Sequence, residues 1–517
     1  MKQINDFQLS RRSALKGAAA LGAAGLLLPT AAKAETPKKG GTLRMGLAGG
    51  ASSDTLDPAK FTDHFPVTLG YQLRNLLVEV DTHGAAIPEL AESWEASADA
   101  KEWTFKIRQG VEFHNGKTLD ADDVIFSLNH HRGEKSESGA KTYGDQMADI
   151  VKTGSHEILI KLHDGNADLP FLLSDYHFMI APAGTTNWDE GIGTGPFILE
   201  EFVPGTSSRV RKNPNYWKEG RAHVDAVEML VINDVQARIS ALLTKQVHLI
   251  NKIDPKTVGL LKRNKELQLL LTKGGQHYPF LMNTSAEPYS NLDLRLAVKY
   301  AVDREQMVKT VLRGYGTVGN DHPIPQSDFF HAADLPQRAY DPDKAAFHFK
   351  KAGMDGQALT LHTSEAAFSG AVDSAVLLKE SAAKAGITVD VAREPADGYW
   401  SNVWMKKPFA VSYWSGRPTA DLMLSVAYHS KAEWNDTYWK NEQFDQLLVA
   451  ARSELDDTKR RGMYHDLQML VSDDGGAMIP MFVDFIDAGL SSVKGYEPRK
   501  TGYLSGDRAA EVVWLEE

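Results

Sequence analysis

The sequence predicts an α/β protein of two lobes, the first rich in strands and the second alternating strands with helices. Three observations lead there. The chain has 517 residues, 42% of them hydrophobic, which is enough to bury more than one large core. Its first half reads as a succession of hairpins. From about Gln276 the pattern changes to strand, helix, strand, helix, strand, the mark of a mixed sheet covered by helices. A cleft between two such lobes is where a small ligand is expected.

The first 34 residues read as an export address. Ser10-Arg-Arg-Ser-Ala-Leu-Lys16 precedes an apolar run from Gly17 to Leu28, and Ala32-Lys33-Ala34 offers small residues for cleavage. This pattern matches a twin-arginine leader, apart from Ala14 where a larger apolar residue is usual. The run is shorter than the roughly 20 residues of a spanning helix, so cleavage and a soluble mature chain are expected. Gly41 to Leu47 then reads as a strand, and Phe65 to Val78 has apolar residues at helical spacing. Glu102 to Arg108 alternates as a half-buried strand, Asn115-Gly116 is a turn pair, and Asp120 or a neighbour caps a helix through Asn129. Hairpins are expected around Gly154 and Pro204-Gly205, followed by a strand (Val227 to Ile232), a helix (Val235 to Lys245) and a short strand (His248 to Asn251). The second half opens with a helix from Leu292 to Gly314 and a proline-rich passage from His322 to Pro342. Strands at Leu359 to Thr363, Thr388 to Ala392 and Phe409 to Trp414 alternate with helices at Ser374 to Ala385 and Gly398 to Met405. Helices at Phe444 to Leu455 and Lys459 to Val471 lead to a buried strand, Ile479 to Val483.

Composition removes several classes of function. There is no cysteine, which excludes a disulfide scaffold, a thiolate metal site and a lipid-modified N-terminal cysteine. Without the leader's five basic residues and one acidic residue, the net charge moves from −11 to −15, which argues against nucleic acid as a partner. No G-x-S-x-G, P-loop or dinucleotide-binding glycine pattern is present, and His156-Glu157 has Ile160 where H-E-x-x-H needs its second histidine. His130-His131 falls at a helix end and reads as a solvated cap. No catalytic residue, cofactor or metal is expected.

One region does point to binding. Ten of the 46 aromatics, and five of the ten tryptophans, fall in the 41 residues from Tyr399 to Trp439, where even spreading would place about four aromatics. Mixed with Ser, Gly, Asn and Asp, they suit a partly wet binding wall. Within it, Tyr413-Trp-Ser-Gly-Arg-Pro418 sets an arginine before a proline, with Asp421 close behind. The expected ligand contacts are Arg417, Trp414, Tyr413, Asp421, Trp400 and Tyr428, joined by Ser52 and Thr363 from other loops. His429 is the single histidine kept as a candidate for a metal or haem.

Six stretches in order carry a resemblance: Pro88-Glu-Leu-Ala-Glu-Ser-Trp94, Trp103-Thr-Phe-Lys-Ile-Arg-Gln-Gly-Val-Glu-Phe-His-Asn-Gly116, Ala121-Asp-Asp-Val124, Gly193-Thr-Gly-Pro-Phe197, Asn213-Pro-Asn-Tyr-Trp217 and Arg295-Leu-Ala-Val-Lys-Tyr-Ala-Val-Asp-Arg304. Together they resemble the extracytoplasmic solute-binding proteins of family 5, which feed dipeptide, oligopeptide and nickel ABC importers. The resemblance implies a two-lobed clamshell with mixed sheets and an extra strand-rich subdomain in the first lobe. It implies a first lobe of residues 35–275 with its outer subdomain at about 81–201, a second lobe of 276–487, and a return to the first lobe over 488–517. It also implies a monomeric periplasmic protein that binds a small molecule or peptide and docks on an inner-membrane permease, without enzymatic turnover. A secreted hydrolase, or the same fold carrying a metal chelate or haem, stands as the alternative.

In peptide-binding relatives the loop reads roughly Gly-Trp-x-Gly-Asp, and its acid accepts the peptide's α-amine. Here Trp414-Ser-Gly416 matches, with Arg417 in the acid's place. The reversed charge implies an anionic group on the solute, with Asp421 as the residue able to shift in for the missing acid.

Overall fold

The computed structural model describes residues 36–516, apart from 62, 396–398, 418 and 433 and the side chain of 401. The expected leader lies outside the described residues. The fold below concerns the compact unit Lys38–Glu517.

The chain begins with β1 (Thr42–Leu47), whose inward residues Leu43, Met45 and Leu47 are fully buried. Helix α1 (His64–Leu73) follows, capped by the Asp63 carboxylate on the His64 N–H. It ends sooner than its apolar spacing suggests. Arg74 is extended, with its buried guanidinium donating to the carbonyls of Leu56, Trp188 and Ile192, so the chain leaves helical geometry there. Four antiparallel strands, β2 (Ala91–Ala96), β3 (Glu102–Ile107), β4 (Met147–Gly154) and β5 (Glu157–Leu162), form a separate sheet in the order β2-β3-β5-β4. Helix α2 (Ala121–Asn129) packs on it, started by a capping box between Asp120 and Asp123. This sheet and helix share a core with Phe61, Leu76 and Phe178.

The chain then returns to β1. Strands β6 (Phe197–Val203), β7 (Ser207–Lys212), β8 (Ala226–Val231), β9 (Leu249–Ile250) and β10 (Leu267–Thr272) build one sheet around it, with helix α3 (Val235–Leu243) against β1 and β9. The second lobe holds β11 (Phe280–Met282), α4 (Leu292–Tyr300), β12 (Ala358–Thr363), α5 (Ala371–Ala383), β13 (Thr388–Arg393), β14 (Phe409–Val411) and β15 (Ala477–Met478). Its sheet runs β13-β12-β14-β11-β15, with parallel β12–β13 and β12–β14 pairs and antiparallel pairs elsewhere. Helices α6 (Ala420–Ala427), α7 (Glu442–Ser453) and α8 (Asp457–Asp474) carry a further core that includes Trp414 and Tyr464. Strand β16 (Phe485–Leu490) crosses back and completes the first sheet as β10-β16-β9-β1-β8-β7-β6.

Two expected helices differ. The helix read over Leu292 to Gly314 is interrupted at Asp303, whose carboxylate caps a second helix at Arg304 by accepting the Gln306 N–H. The helix read from Gly398 reduces to the turn Tyr399–Asn402. The return to the first sheet starts at Phe485, within the stretch Pro480 to Asp487 where the sequence places the second crossover, and there Phe485 pairs with Thr272 at the end of β10.

The recurrent sequence stretches hold the framework together. Glu89 accepts from the Leu76 N–H, Asn75, Lys218 and Arg508 in a buried cluster with Glu79, Glu511 and Arg499. At Gly193 and Gly195 a Cβ would come within 2.5 Å of the Leu73 backbone, so these positions admit no side chain. Arg295 donates to the carbonyls of Tyr289, Ser290 and Asp474.

Candidate functional site

The two lobes are joined by adjacent segments around Gly274–Tyr278 and Val483–Phe485. His277 pairs with both Trp414 and Phe482, and the Val483 N–H donates to the Gln276 carbonyl at 2.8 Å. The loop that follows β14 is therefore pinned to the hinge. Trp414 exchanges both backbone hydrogen bonds with His277, each 3.0 Å. A Cβ on Gly416 would come within 3.3 Å of the Gly275 Cα, so the loop lies directly against the hinge backbone.

Alternation along this loop sorts its aromatics. Tyr413 points out and is 40% exposed, whereas Trp414 points in and is 6% exposed. The indole N–H groups of Trp414 and Trp404 both donate to Asp436 Oδ2, at 3.0 and 3.2 Å. Burial pushes the Asp436 carboxyl up to about 7, against the opposing effect of those two bonds. Trp400 meets Tyr413 and Trp404 edge-on, and Trp434 lies tilted against Trp414. The result is a half-exposed aromatic wall braced from behind by one buried carboxyl.

Arg417 sits at the end of this wall. Its guanidinium lies 5.6 Å from the centre of the Trp414 ring, and Nη1 makes a long 3.5 Å contact to the Ser415 carbonyl. No carboxylate among the described residues pairs with it. It is half-buried, and its charge opposes the burial that chiefly raises the phenol pKa values of Tyr143 and Tyr176. It also acts on His277, which burial chiefly holds neutral, at a pKa of about 4.

Four expected contacts are placed differently. Asp421 is buried in α6 and held by Arg452 Nε at 3.0 and 3.1 Å, so its carboxylate is engaged away from Arg417. Burial lifts its pKa to about 6 while Arg452 opposes that. Tyr428 lies in the helical core behind Trp414. Ser52 is on an exposed turn beside the β6–β7 hairpin, where Gly205 backs onto it, and nothing brings it to Arg417. Thr363 is fully buried at the end of β12, with Oγ1 lacking a partner among the described residues. His429 is turned toward α7: its Nδ1 accepts the Lys431 N–H and its Nε2 lies 3.9 Å from Asp445.

On the first lobe, sequence reasoning offered Ser52 alone and missed a polar cluster built on α1. Helix α1 places His64, Thr68 and Tyr71 on one face. Asp507 accepts from Thr68 at 2.7 Å and meets His64 Nδ1 at 3.1 Å. Asp507 closes a left-handed turn in which Leu504, Ser505, Gly506 and Asp507 all have φ between 51° and 65°. Polar residues at helical spacing on an otherwise apolar helix were the available signal. Beyond the turn, Asp168 meets Arg460 of α8 at 2.7 Å, and the Ala167 N–H donates to the Arg452 carbonyl at 2.8 Å, so the lobes touch at the rim.

The family model described as "Bacterial extracellular solute-binding proteins, family 5 Middle" matches residues 85–436. The chain belongs to this family. Among its family 5 relatives, it is 26% identical over 472 residues to heme-binding protein A of Haemophilus influenzae, covering 84% of this chain and 85% of that one. It is 25% identical over 454 residues to the dipeptide-binding protein of Escherichia coli, covering 79% and 83% respectively. Among solved structures, HbpA2 from Haemophilus parasuis superposes with a TM-score of 0.82 at 22% identity, covering 92% of this chain and all of the other. The unliganded open form of the murein tripeptide-binding protein MppA gives 0.81 at 18% identity, covering 92% and 97%. These likenesses establish the two-lobed α/β fold. No helix among the described residues is long and apolar enough to cross a membrane.

Proposed function

We propose that this family 5 protein is the solute-binding component of an ABC importer. It takes a small peptide-like organic solute bearing an anionic group between its lobes and hands it to an inner-membrane permease, with no turnover. It acts in the periplasm after cleavage of a twin-arginine leader over residues 1–34. The observation that carries the reading of the ligand is Arg417: a half-buried guanidinium, fixed against the hinge, that no carboxylate of the described chain pairs with. A ligand ammonium brought to it meets repulsion of roughly 4 kcal/mol at 4 Å and an effective dielectric near 20. A carboxylate or phosphate instead gains a planar two-bond fork.

The test begins with the small molecule that co-purifies from the native host, identified by native mass spectrometry and then titrated calorimetrically. Arg417→Ala is expected to weaken its binding by about 2 to 5 kcal/mol with an unchanged unfolding midpoint, the range for truncating one partner of a buried charge pair. Arg417→Lys is expected to recover only part of that loss. Full-strength binding by the alanine variant would remove Arg417 from the site.

A further inference from the structure

The rim where the lobes touch is built from charged groups of both. Residues 165–168 of the first lobe lie on the end of α7: a Cβ on Gly165 would come within 3.1 Å of the Ser453 Cβ, and the Ala167 N–H donates to the Arg452 carbonyl. Next to it, Asp168 meets Arg460 Nη1 of α8 at 2.7 Å. Lys500 of the first lobe donates to the Ser327 carbonyl at 2.5 Å and to the His83 carbonyl at 2.9 Å, which ties the second lobe's proline-rich passage to the first lobe. Two further carboxylates stand in this contact. Asp421 of α6 is buried and held by Arg452 Nε, the same residue whose carbonyl takes the Ala167 N–H. Asp328, half-buried beside Ser327, accepts the Phe330 N–H at 2.7 Å. The other titratable group here is Tyr464 of α8, whose hydroxyl accepts from Arg460 Nη2 at 3.4 Å and which burial keeps neutral.

Burial is the largest cause that lifts Asp421 and Asp328 each to about 6, and the charge of Asp168 on the opposite lobe adds to it. Arg452 and Arg460 oppose this at Asp421, while the Phe330 N–H, Lys500 and Arg460 oppose it at Asp328. Opening the cleft removes both raising causes together, because Asp168 leaves with the first lobe and water reaches the rim. Each carboxyl then returns toward the ordinary range near 4. We infer that the rim is a proton-linked latch: closing the lobes takes protons onto Asp421 and Asp328, so acid favours the closed protein and rising pH favours opening. A group that holds its proton more tightly in the closed form stabilises that form fully below its open-form value, and ceases to do so as pH climbs through about 6. Between pH 7.5 and 5 each carboxyl changes the closed-to-open ratio by about 10-fold. The latch acts on the lobes and is independent of the solute's chemistry at Arg417.

The absence of cysteine allows a clean distance measurement. Lys106→Cys in β3 and Lys379→Cys in α5, both at exposed positions, put one fluorescent label on each lobe. Single-molecule energy transfer on the ligand-free mature protein then reads the closed and open populations. The closed-to-open ratio is expected to rise by about 10-fold or more from pH 7.5 to pH 5 at constant ionic strength. Asp421→Asn combined with Asp328→Asn keeps both side chains neutral at the same size, and its ratio is expected to stay flat across that range at the wild-type value for pH 5. A pH-independent wild-type ratio, a ratio that falls in acid, or an unchanged slope in the double variant overturns the latch. Far-ultraviolet circular dichroism checks the fold of the variant. Where the double variant does not fold, Asp328→Asn alone, on a surface turn, is expected to halve the logarithmic slope, and an unchanged slope there overturns the latch as well.

Discussion

Asp436 shows how one buried side chain organises several exposed ones. Its Oδ2 holds the indoles of Trp404 and Trp414 in fixed orientation, and through them the wall that ends at Arg417. Burial raises its folded pKa to about 7, so the folded state keeps a proton that the unfolded chain releases near pH 4. The group's contribution to stability is therefore lost as pH rises between those values, by up to about 1.4 kcal/mol per pH unit. Asp436→Asn keeps an acceptor and does not titrate. Denaturant midpoints should shift in favour of this variant, relative to wild type, as pH rises from 4.5 to 8, and a constant difference would show that Asp436 is already ionised at acid pH. The fixed loop that carries Arg417 was legible in the sequence, because Trp-Ser-Gly before the arginine and proline after it form a local pattern, and the backbone is indeed pinned at Trp414 and Gly416. The pairing of His64 with Asp507 was not, because the two are common residue types brought together from 443 positions apart. Asp421 misled for the same reason: its partner, Arg452, lies 31 residues away on another helix.

At the scale of elements, the left-handed turn from Leu504 to Asp507 is costly, at roughly 1–2 kcal/mol for each non-glycine residue. Surrounding bonds hold it: the Leu504 N–H to Asp487, the Ser505 N–H to the Tyr496 hydroxyl at 2.8 Å, and Ser505 Oγ to the Glu497 carbonyl at 2.6 Å. The return is that Asp507 meets the first turn of α1. Burial by itself lowers the His64 pKa, Asp507 more than offsets this, and the folded value is raised above the ordinary one, with Lys252 and Asp63 acting in opposite directions. That stability is fully present below about pH 6.5 and is lost as pH climbs through the folded value. Asp507→Asn tolerates the left-handed backbone and removes the charge. Its expected cost is about 1.5–3 kcal/mol at pH 5.5 and distinctly less at pH 8.5. Equal costs at the two pH values would mean that the pair is not ionic. Element type was mostly readable from periodicity, while ends were not. Helix α1 stops at Leu73 because the buried Arg74 needs three distant carbonyls, and the helix after Asp303 starts anew because that aspartate caps it.

For the molecule as a whole, the rim contact between Asp168 and Arg460 is the feature to perturb. Both side chains are buried, and the 2.7 Å approach is ionic in character, since neither Asp168 oxygen has a well-directed hydrogen bond among the described residues. Truncating one partner of such a pair within a rigid interior costs about 3–5 kcal/mol. Here the lobes offer relief, because opening the cleft lets water reach Arg460. Asp168→Ala is thus expected to raise the radius of gyration of the ligand-free protein in small-angle scattering, with far-ultraviolet circular dichroism unchanged. Unchanged scattering would show that this contact does not hold the lobes together. The two-lobed plan was visible in the change of pattern near Gln276. The return was placed by the sequence only to the stretch Pro480 to Asp487, since the pairing of Phe485 with Thr272 rather than a local signal fixes its start.

That return has a consequence for biosynthesis. Strand β16 lies between β10 and β9, and it is made about 235 residues after β9. At about 5–20 residues per second, the ribosome leaves the flank of β9 open for tens of seconds. During that interval the emerging polypeptide exposes an unpaired strand edge, which is a template for aggregation and a natural substrate for chaperones. Any product truncated before Phe485 keeps its first sheet in two pieces, so an incomplete copy is marked for proteolysis by its own unfinished centre.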